Sequence, residues 1–321
     1  MAMRELVAAD EPALQGLLRR IYGDTYSYRS LYQPGGIAGL LASGRTALWG
    51  DFADDDRALI SHTGFFWKDP RADYLESGLS LRHPHLRPVT PDAEVWRRCF
   101  GWLDRRAAYL HQHTTTYHPL AQRYAERHMR ARPAGFVIDY AIGERLAILA
   151  CPDGPMHAVM MTTLLADAPP QPAIAIPRGP WAEFLALAAI GLGLEPRVDD
   201  VAAGGEVSVE PEPIEANREL ALVRRSVARA GGAAITPAAE ARVDLIHVPL
   251  DRRAAAVPAL TEAGWVPVGL RAHATRPHEI VMQHLPDARR GYAIAALATA
   301  RLGAAAATLA AAWRDGCARA S

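Results

Sequence analysis

The 321-residue chain has little of several features that would assign it to a class at once. Its three cysteines, Cys99, Cys151 and Cys317, show no CxxC spacing, which excludes a disulfide framework and indicates thiols in a reducing compartment. The 35 lysines and arginines balance 35 acidic residues, so no basic or acidic surface indicates nucleic acid or a basic partner. No apolar run reaches the roughly 18–20 residues that a membrane span needs.

The beginning of the chain also lacks the apolar core of a secretion signal. Charged residues start at Arg4, which is too early for such a segment. We therefore expect a cytoplasmic protein with neither a membrane nor a nucleic-acid partner. What is present is typical of a globular protein, with 50% hydrophobic and 22% charged residues.

The length favours two domains, because single domains cluster near ~100–150 residues. The turn-rich segment CPDGP, Cys151–Pro155, predicts a linker between them. We therefore expect a first domain at residues 1–150, a second at 151–287 and a C-terminal helix at 288–321. Apolar periodicity and turn residues predict the order β α α β β β α β α β β for the first domain. Its helices are expected near 10–21, 37–42, 92–110 and 119–130, and its strands near 3–7, 46–52, 58–67, 74–81, 112–117 and 135–150.

The second domain continues the alternation of strands and helices. Strands are predicted at 157–165, 173–177, 206–210, 243–250, from 264 onward and at 279–285, and helices at 181–191, 215–230 and 252–263. The run VDLIHVPL at 243–250 is typical of a strand buried on both faces. The sequence thus predicts an α/β class with two mixed sheets flanked by helices. The alanine-rich helix at 288–314 permits close packing onto the body of the protein or onto a second subunit in a homodimer.

The segment TTTYHPLAQRYAERHMRARPAGF, Thr114–Phe136, joins a strand to a helix and then to another strand. The first strand stops at His118-Pro119, and Gly135-Phe136 opens the next. This ending resembles that of the GCN5-related N-acetyltransferase (GNAT) superfamily, in which a short Asn/His-Pro turn and a helix with an Arg and a Tyr precede a Gly-Phe. The resemblance covers about residues 1–150, and the end of the second domain has the same order of elements. The chain therefore looks like two GNAT-like domains in tandem.

The resemblance implies transfer of an acyl group from acetyl-CoA or another acyl-CoA to an amine of a small molecule. In the family, a tyrosine of the last helix protonates the CoA sulfur and a glutamate of the fourth strand acts as base, which indicates Tyr124 and Glu76. The pantetheine arm is expected where the fourth strand splays, near Gly78. The cofactor-binding residues implied are Leu79, Leu81, Arg82, Arg87, His118 and Arg123. The tyrosines of the segment that commonly lines the acceptor pocket are Tyr22, Tyr26, Tyr28 and Tyr32.

One part of the family pattern is absent. The family holds the CoA pyrophosphate on the backbone of a glycine-containing loop at a helix N-terminus. Here residues 82–91 have no glycine and three prolines, and Asp92 starts the helix. Two alternatives follow: the loop binds CoA through Arg82, Arg87 and the histidines His83 and His85, or it does not bind CoA. In the second case, the protein is an inactive scaffold for ligand binding or assembly, or it carries out other chemistry.

Histidines are dense between residues 83 and 118, as His83, His85, His111, His113 and His118. In the GNAT order the first pair follows the fourth strand and the second begins the parallel fifth strand. The two pairs then lie at opposite ends of the sheet, so we expect no metal site.

Overall fold

A computed structural model of the chain describes residues 3–53, 58–67, 74–86, 88, 90–104, 106–117, 119–142, 155–165, 173–200, 209–217, 221–230, 235–239 and 241–320. Within these ranges the strands are β1 (Arg4–Glu5), β2 (Thr46–Phe52), β3 (Leu59–Phe66), β4 (Tyr74–Arg82), β5 (Tyr109–Thr115), β6 (Arg132–Ile142), β7 (Pro155–Leu164), β8 (Ile174–Pro177), β9 (Pro196–Asp199), β10 (Val209–Asn217), β11 (Leu222–Ala230), β12 (Val243–Pro249), β13 (Trp265–Arg271) and β14 (Glu279–His284). The α-helices are α1 (Glu11–Tyr22), α2 (Gly36–Ala42), α3 (Asp92–Leu103), α4 (Leu120–His128), α5 (Ala182–Gly191), α6 (Val257–Glu262), α7 (Asp287–Thr299) and α8 (Ala304–Ala320).

The first half of the chain forms one side of a large mixed sheet. Its strands lie in the order β1–β2–β3–β4–β5–β7–β6. Neighbours are antiparallel except β4 and β5, which run parallel and are connected through α3. Because β7 lies between β5 and β6, residues 155–164 pair with this half although they follow residue 150. The division of the chain at residue 150 stays a prediction.

The second half repeats the central part of that topology. β10, β11, β12, β14 and β13 are neighbours in this order, and only β11 and β12 among them are parallel. The first half has the same order and directions in β3, β4, β5, β7 and β6. The two sets meet where β6 and β13 pair antiparallel at Gly135 and Gly269, so one sheet of 12 strands runs through both halves. The predicted α/β class, with mixed strands flanked by helices, is confirmed, but the prediction of two separate mixed sheets is wrong, because β6 and β13 pair and make the sheet continuous.

The helix that the sequence predicts over 215–230 is wrong, because β10 and β11 form an antiparallel pair there. Along β11, Leu222, Arg224 and Ser226 are buried, with half-buried residues between them, which is the period of a strand. This period cannot be recognised from the sequence, because an arginine is assigned to the surface unless a partner for it is known. The burial of Arg224 depends on a partner in the other half of the chain, which the local pattern does not reveal.

Three further boundaries differ from the sequence analysis. α3 ends at Leu103 rather than near Leu110, and β5 begins earlier than expected, at Tyr109, because residues 109–112 pair with β4. β8 and β9 form a separate parallel pair on either side of α5 in the chain, and β9 is not predicted from the sequence. The single C-terminal helix is two helices, and the Gly303 N–H between them donates to Gln122 Oε1 of α4 at 2.8 Å.

Two apolar clusters lie on opposite faces of the first half of the sheet. Phe65 and Phe66 are adjacent on β3 and pack into different clusters. The smaller cluster joins α1 and α2 to β2, β3 and β4. The larger one packs α3 and α4 on the other face and continues without interruption into the second half, as far as α8. The core therefore belongs to both halves in common.

The C-terminal helix α8 packs onto the protein's own body. Trp313 Nε1 donates to the Pro267 carbonyl of β13 at 2.9 Å, and its ring lies 6.2 Å from that of Trp181. Gly316 faces the same Trp181 ring, where a Cβ atom would approach to 2.6 Å. Across the described residues, no helix combines the length and the apolar character needed to cross a membrane.

Candidate functional site

The parallel strands β4 and β5 pair only at their beginnings. Tyr74 lies opposite Tyr109 and Ser77 lies opposite Gln112, where the ladder ends. Beyond this point β4 continues beside β3, and β5 continues beside β7. Residues 78–82 and 113–115 therefore do not pair with each other, and this unpaired stretch between the two strands is called the opening below. The ladder thus ends next to Gly78, where the family resemblance implies a splay, and the binding of a pantetheine arm there stays a prediction.

A β-bulge in β4 begins at the same place. His62 lies opposite Leu81 and Gly64 lies opposite Gly78, so β4 has one more residue than β3 across this stretch. Leu79 adopts the left-handed conformation, with a φ of 53°. His62 Nδ1 lies 2.7 Å from the Leu79 carbonyl oxygen and carries the proton, because a carbonyl only accepts. Burial lowers the pKa of His62 to about 4, so this ring is neutral near pH 7.

Tyr124 of α4 is held by two residues of α3. Trp96 Nε1 donates to the Tyr124 hydroxyl at 2.9 Å, and the hydroxyl donates to Asp92 Oδ1 at 3.1 Å. Asp92 also forms an ion pair with Arg82 at the end of β4. Burial, assisted by the Asp92 carboxylate and opposed by the Trp96 bond, raises the pKa of Tyr124 to about 12. The phenol therefore keeps its proton across the neutral range.

The loop between β4 and α3 uses its described backbone N–H groups internally. Those of His85 and Leu86 donate to the His83 ring at 3.2 and 3.0 Å, and that of His83 donates to the β3 backbone at 2.7 Å. The Thr90 N–H donates to Asp51 at 3.1 Å. Three prolines in this loop supply no N–H: Pro84, Pro88 and Pro91. A pyrophosphate requires free N–H groups, so the described part of this loop does not fit that portion of CoA.

Glu76 lies in a buried group of charges that joins the two halves. Its carboxylate forms an ion pair with Arg224 of β11 and lies 3.3 Å from the Arg271 guanidinium of β13. Arg271 also donates to the Tyr74 hydroxyl at 2.5 Å. The three charged side chains are at most 6% exposed. The carboxylate thus has two cationic partners, and its role as a base stays a prediction.

A second buried charge lies on β14. His247 Nδ1 is 2.9 Å and His273 Nε2 is 3.1 Å from Glu279 Oε2, and Arg276 is 3.6 Å from the other oxygen. Burial lowers the pKa of His247 to about 4. Burial alone would raise the pKa of Glu279, but the hydrogen bonds from the two histidines outweigh it and the pKa lies well below its usual range. At neutral pH this site therefore contains an ionised glutamate beside a neutral His247.

One backbone-to-histidine hydrogen bond recurs in the two halves. The Asp139 N–H donates to His157 Nδ1, and the His273 N–H donates to His278 Nδ1, each at 3.0 Å. Asp139 and His273 each lie four residues after the glycine at which the halves meet. The repeat is therefore present in side-chain contacts as well as in strand order.

The tyrosine segment between α1 and α2 packs against the smaller apolar cluster. The ring centroids of Tyr22 and Tyr26 are 4.8 Å apart, and those of Tyr26 and Tyr28 are 5.8 Å apart. Tyr32 is buried, with the Arg19 guanidinium 5.6 Å from its ring centroid. Tyr22, Tyr26 and Tyr28 are half-buried, so the segment leaves part of its aromatic surface accessible.

The other candidate residues lie on β4, on α4 or outside the described residues. Leu79 and Leu81 are buried, and their side chains belong to the smaller apolar cluster. Arg123 is exposed on α4. Arg87 and His118 lie outside the described residues. The structure thus joins Tyr124 to Arg82 through Asp92 and places Leu79 at the opening.

The site residues predicted from the sequence do not include Arg224, Arg271 or His62. Arg271 ends a strand in which all seven residues are buried, and a charge in such a strand requires a partner. That pattern could have identified Arg271 as a functional or structural site. Arg224 and His62 gave no such signal, because their partners are distant in sequence.

No group of three or more His, Cys, Asp or Glu side chains suited to a metal ion occurs in the described part of the chain. His83 and His85 are in the loop after β4, with ring centroids 6.1 Å apart. His111 is buried on β5, where Nδ1 lies 2.7 Å from the Thr162 hydroxyl. The two pairs of histidines are therefore on different elements, and His118 lies outside the described residues.

Comparisons with known proteins give matches to solved structures alone. No protein-family model matches the chain, and no curated protein matches its sequence. A GNAT superfamily phosphinothricin acetyltransferase from Sinorhizobium meliloti, in complex with AcCoA, is 12% identical over 51% of this chain and 88% of that chain, with a TM-score of 0.40. A variant of the spermidine N-acetyltransferase SpeG from Vibrio cholerae is 12% identical over 51% and 92%, with a TM-score of 0.41. The ribosomal-protein-S5-alanine acetyltransferase from Vibrio fischeri is 10% identical over 52% and 94%, with a TM-score of 0.40. These structures are GNAT superfamily acetyltransferases, the superfamily that the sequence resembles.

Proposed function

We propose that the first half of the chain binds an acyl thioester between β4 and β5 and transfers the acyl group to an amine of a small molecule. The observation that carries this proposal is the parting of the two parallel strands after Ser77 and Gln112, at the bulge of Leu79. Backbone groups inside a sheet are seldom left without strand pairing unless a β-bulge or a bound ligand interrupts the ladder. An extended thioester arm has the shape to occupy such an opening.

In the proposed reaction the amine attacks the thioester carbonyl directly. The new C–N bond forms while the C–S bond breaks, one amine proton goes to a base, and the leaving thiolate takes up a proton from solvent. Backbone N–H groups of β4 beyond Ser77 face the opening and would stabilise the charge that develops on the carbonyl oxygen. Glu76, on the same strand, acts in this proposal through a bound water, because two guanidinium groups already contact its carboxylate.

Tyr124 is the proposed partner of the leaving thiolate. With a pKa of about 12 it is a weaker acid than an ordinary thiol, whose pKa is about 8.5. Full proton transfer from Tyr124 to the thiolate is therefore uphill. We assign it the donation of a hydrogen bond as the C–S bond breaks, with Asp92 and Trp96 fixing the direction of its hydroxyl.

The tyrosine segment is the proposed acceptor site. Tyr22, Tyr26 and Tyr28 stack on one another beside the face of the sheet that carries Leu79 and Leu81. Aromatic faces attract cationic and planar groups, which suits an amine substrate. A small molecule is favoured over a macromolecule because the chain has no net charge to attract one.

A second candidate is a protein that binds a ligand or a partner without catalysis. The observation in its favour is that Glu76 and Asp92 both have cationic partners already, Arg224 and Arg271 for the first and Arg82 for the second. Paired charges of this kind are common structural features. If this second candidate is correct, the opening between β4 and β5 binds a ligand without catalysing a reaction.

The two candidates are separated by binding and turnover measurements on the full chain. Isothermal titration with acetyl-CoA and with S-acetylpantetheine tests for a thioester site, and loss of the free amine is then followed for a panel of small amines. Acetylation of any of them supports the transferase. Binding without turnover favours the second candidate, and no binding of either thioester at millimolar concentration ends the case for an acyl donor.

A further inference from the structure

We infer that this protein recognises its donor by the acylated pantetheine arm alone, so that acyl-pantetheine thioesters without the nucleotide are substrates as good as acyl-CoA. This inference rests on the proposed function and specifies its substrate class. It follows from the loop of residues 83–91, which connects β4 to α3 and lies next to the opening. Three properties of the described part of this loop and of the start of α3 argue against a built site for the pyrophosphate.

The first property is the use of backbone donors. The non-proline residues described between 83 and 90 are His83, His85, Leu86 and Thr90. All four donate their N–H groups to acceptors of the protein itself. A pyrophosphate bound here would have to displace these bonds, and each exchange would return little net free energy because one hydrogen bond replaces another.

The second property is the anchoring of the loop. The Thr90 hydroxyl donates to Asp51 Oδ1 at 2.7 Å, and the Met3 N–H lies 3.3 Å from the Thr90 hydroxyl oxygen. Asp51 is fully buried on β2, and Thr90 is 5% exposed. The Thr90 backbone therefore cannot turn its N–H toward a ligand without breaking a hydrogen bond to a buried carboxylate, which is costly.

The third property is the charge at the start of α3. The positive end of a helix normally attracts an anion, but its first turn here carries the carboxylates of Asp92 and Glu94. Arg82 is bound to Asp92, and Glu94 binds Arg97 and Arg98 at 2.7 Å each. Among the described residues, Arg82, Arg97 and Arg98 near the helix start thus already have anionic partners in the protein.

The opening itself does not depend on this loop. The parting of β4 and β5 is set by the bulge at Leu79 and by the pairing of β5 with β7. Leu79 and Leu81 are at most 9% exposed and pack into the smaller apolar cluster, which fixes this part of β4 without the loop. The arm of a thioester can therefore be held while the rest of the donor stays in solvent.

The test compares two donors on the full-length protein. Dissociation constants of acetyl-CoA and S-acetylpantetheine are measured in parallel by isothermal titration. We expect them to agree within about threefold. A site that held the pyrophosphate by charge-assisted bonds would bind acetyl-CoA more than about tenfold more tightly, and that result would overturn the inference while leaving the proposed acyl transfer intact. Binding of neither donor would end both proposals.

A variant gives a second, independent readout. Arg82→Ala removes the arginine at the end of β4 that pairs with Asp92 at the start of α3. We expect this substitution to change the affinities for the two donors by the same factor. Arg97→Ala, which removes an exposed arginine from the same helix region, is the matched control. A loss of affinity confined to acetyl-CoA in Arg82→Ala, absent in the control, would show that Arg82 holds phosphate and would overturn the inference.

Discussion

Gly135 of β6 lies directly opposite Gly269 of β13, and this pair joins the two halves of the sheet. A Cβ atom on Gly135 would lie 2.3 Å from the Val268 carbonyl oxygen and 2.4 Å from the Gly269 Cα. On Gly269, it would lie 2.7 Å from the Ala134 carbonyl oxygen. Both positions therefore need glycine, because the backbones of β6 and β13 approach each other closely. The contact lies between the two sets of strands that repeat the same order.

Gly135→Ala is expected to destabilise the protein by about 3 kcal/mol or more, because the added methyl group meets backbone atoms that cannot move aside. The free energy of unfolding from chemical denaturation checks this. Gly101→Ala is the control, because a Cβ at this exposed position of α3 meets nothing within 4 Å. That substitution should leave stability unchanged or raise it slightly. Equal effects of the two substitutions would contradict the close contact.

Glu76→Gln is expected to lower the free energy of unfolding by about 3–5 kcal/mol, since it leaves the buried guanidinium groups of Arg224 and Arg271 without their anion. Glu262→Gln removes an exposed carboxylate at the end of α6 and should leave the denaturation midpoint nearly unchanged. A Glu76→Gln protein with wild-type stability would show that the buried ion pairs contribute nothing. If the Glu76→Gln protein folds, its kcat also tests the proposed role of Glu76 as a base. That role predicts a lower kcat per molecule of folded protein than in the wild type.

Tyr124→Phe is expected to lower kcat about 10- to 100-fold while KM for the thioester changes little, because the hydroxyl acts on the thiolate only as it forms. Initial rates with the acetyl donor and a reactive amine provide the measurement. Tyr292→Phe removes a hydroxyl from an exposed residue and is the control. An unchanged kcat in Tyr124→Phe would assign the Tyr124 hydroxyl to packing between α3 and α4.

Stability is expected to fall as the pH drops from 7 toward 5. The folded protein holds His62 at a pKa of about 4, whereas an unfolded histidine has a pKa near 6.5. Between these values the unfolded state binds more protons, so the stability present above pH 6.5 is lost as the pH falls toward 4. For His62 alone the loss between pH 7 and pH 5 is about 2 kcal/mol.

The variant His62→Gln tests this contribution, because glutamine keeps an N–H donor for the Leu79 carbonyl but does not titrate. Unfolding free energies at pH 7 and pH 5 should differ less in this variant than in the wild type. His85→Gln, at an exposed position of the loop, should retain the wild-type difference. A pH dependence identical in His62→Gln and the wild type would contradict the buried, neutral state of His62.

Much of the first half could be predicted from local patterns. β2 begins and ends where the sequence predicts it, and the order of strands and helices through α4 is the predicted order. These elements carry apolar spacing and turn signals within a few residues of their ends, so they require no knowledge of distant partners.

The errors have one cause, which is contact between distant parts of the chain. Arg224 is buried because Glu76 lies against it from the other half, and without that partner the segment 215–230 has a helical pattern. β5 starts at Tyr109 because the residues that follow Leu103 pair with β4 rather than extending α3. The absence of glycine from the loop after β4 is visible in the sequence. The use of its N–H groups by His83 and Asp51 is visible only in three dimensions.

The two outer strands of the sheet have a consequence for self-association. At one end, β1 has only two residues, and at the other, β10 contains Pro211 and Pro213, whose nitrogens donate no hydrogen bond. Neither rim offers a long row of donors to a strand from another molecule, so fibre-like growth by edge pairing is disfavoured.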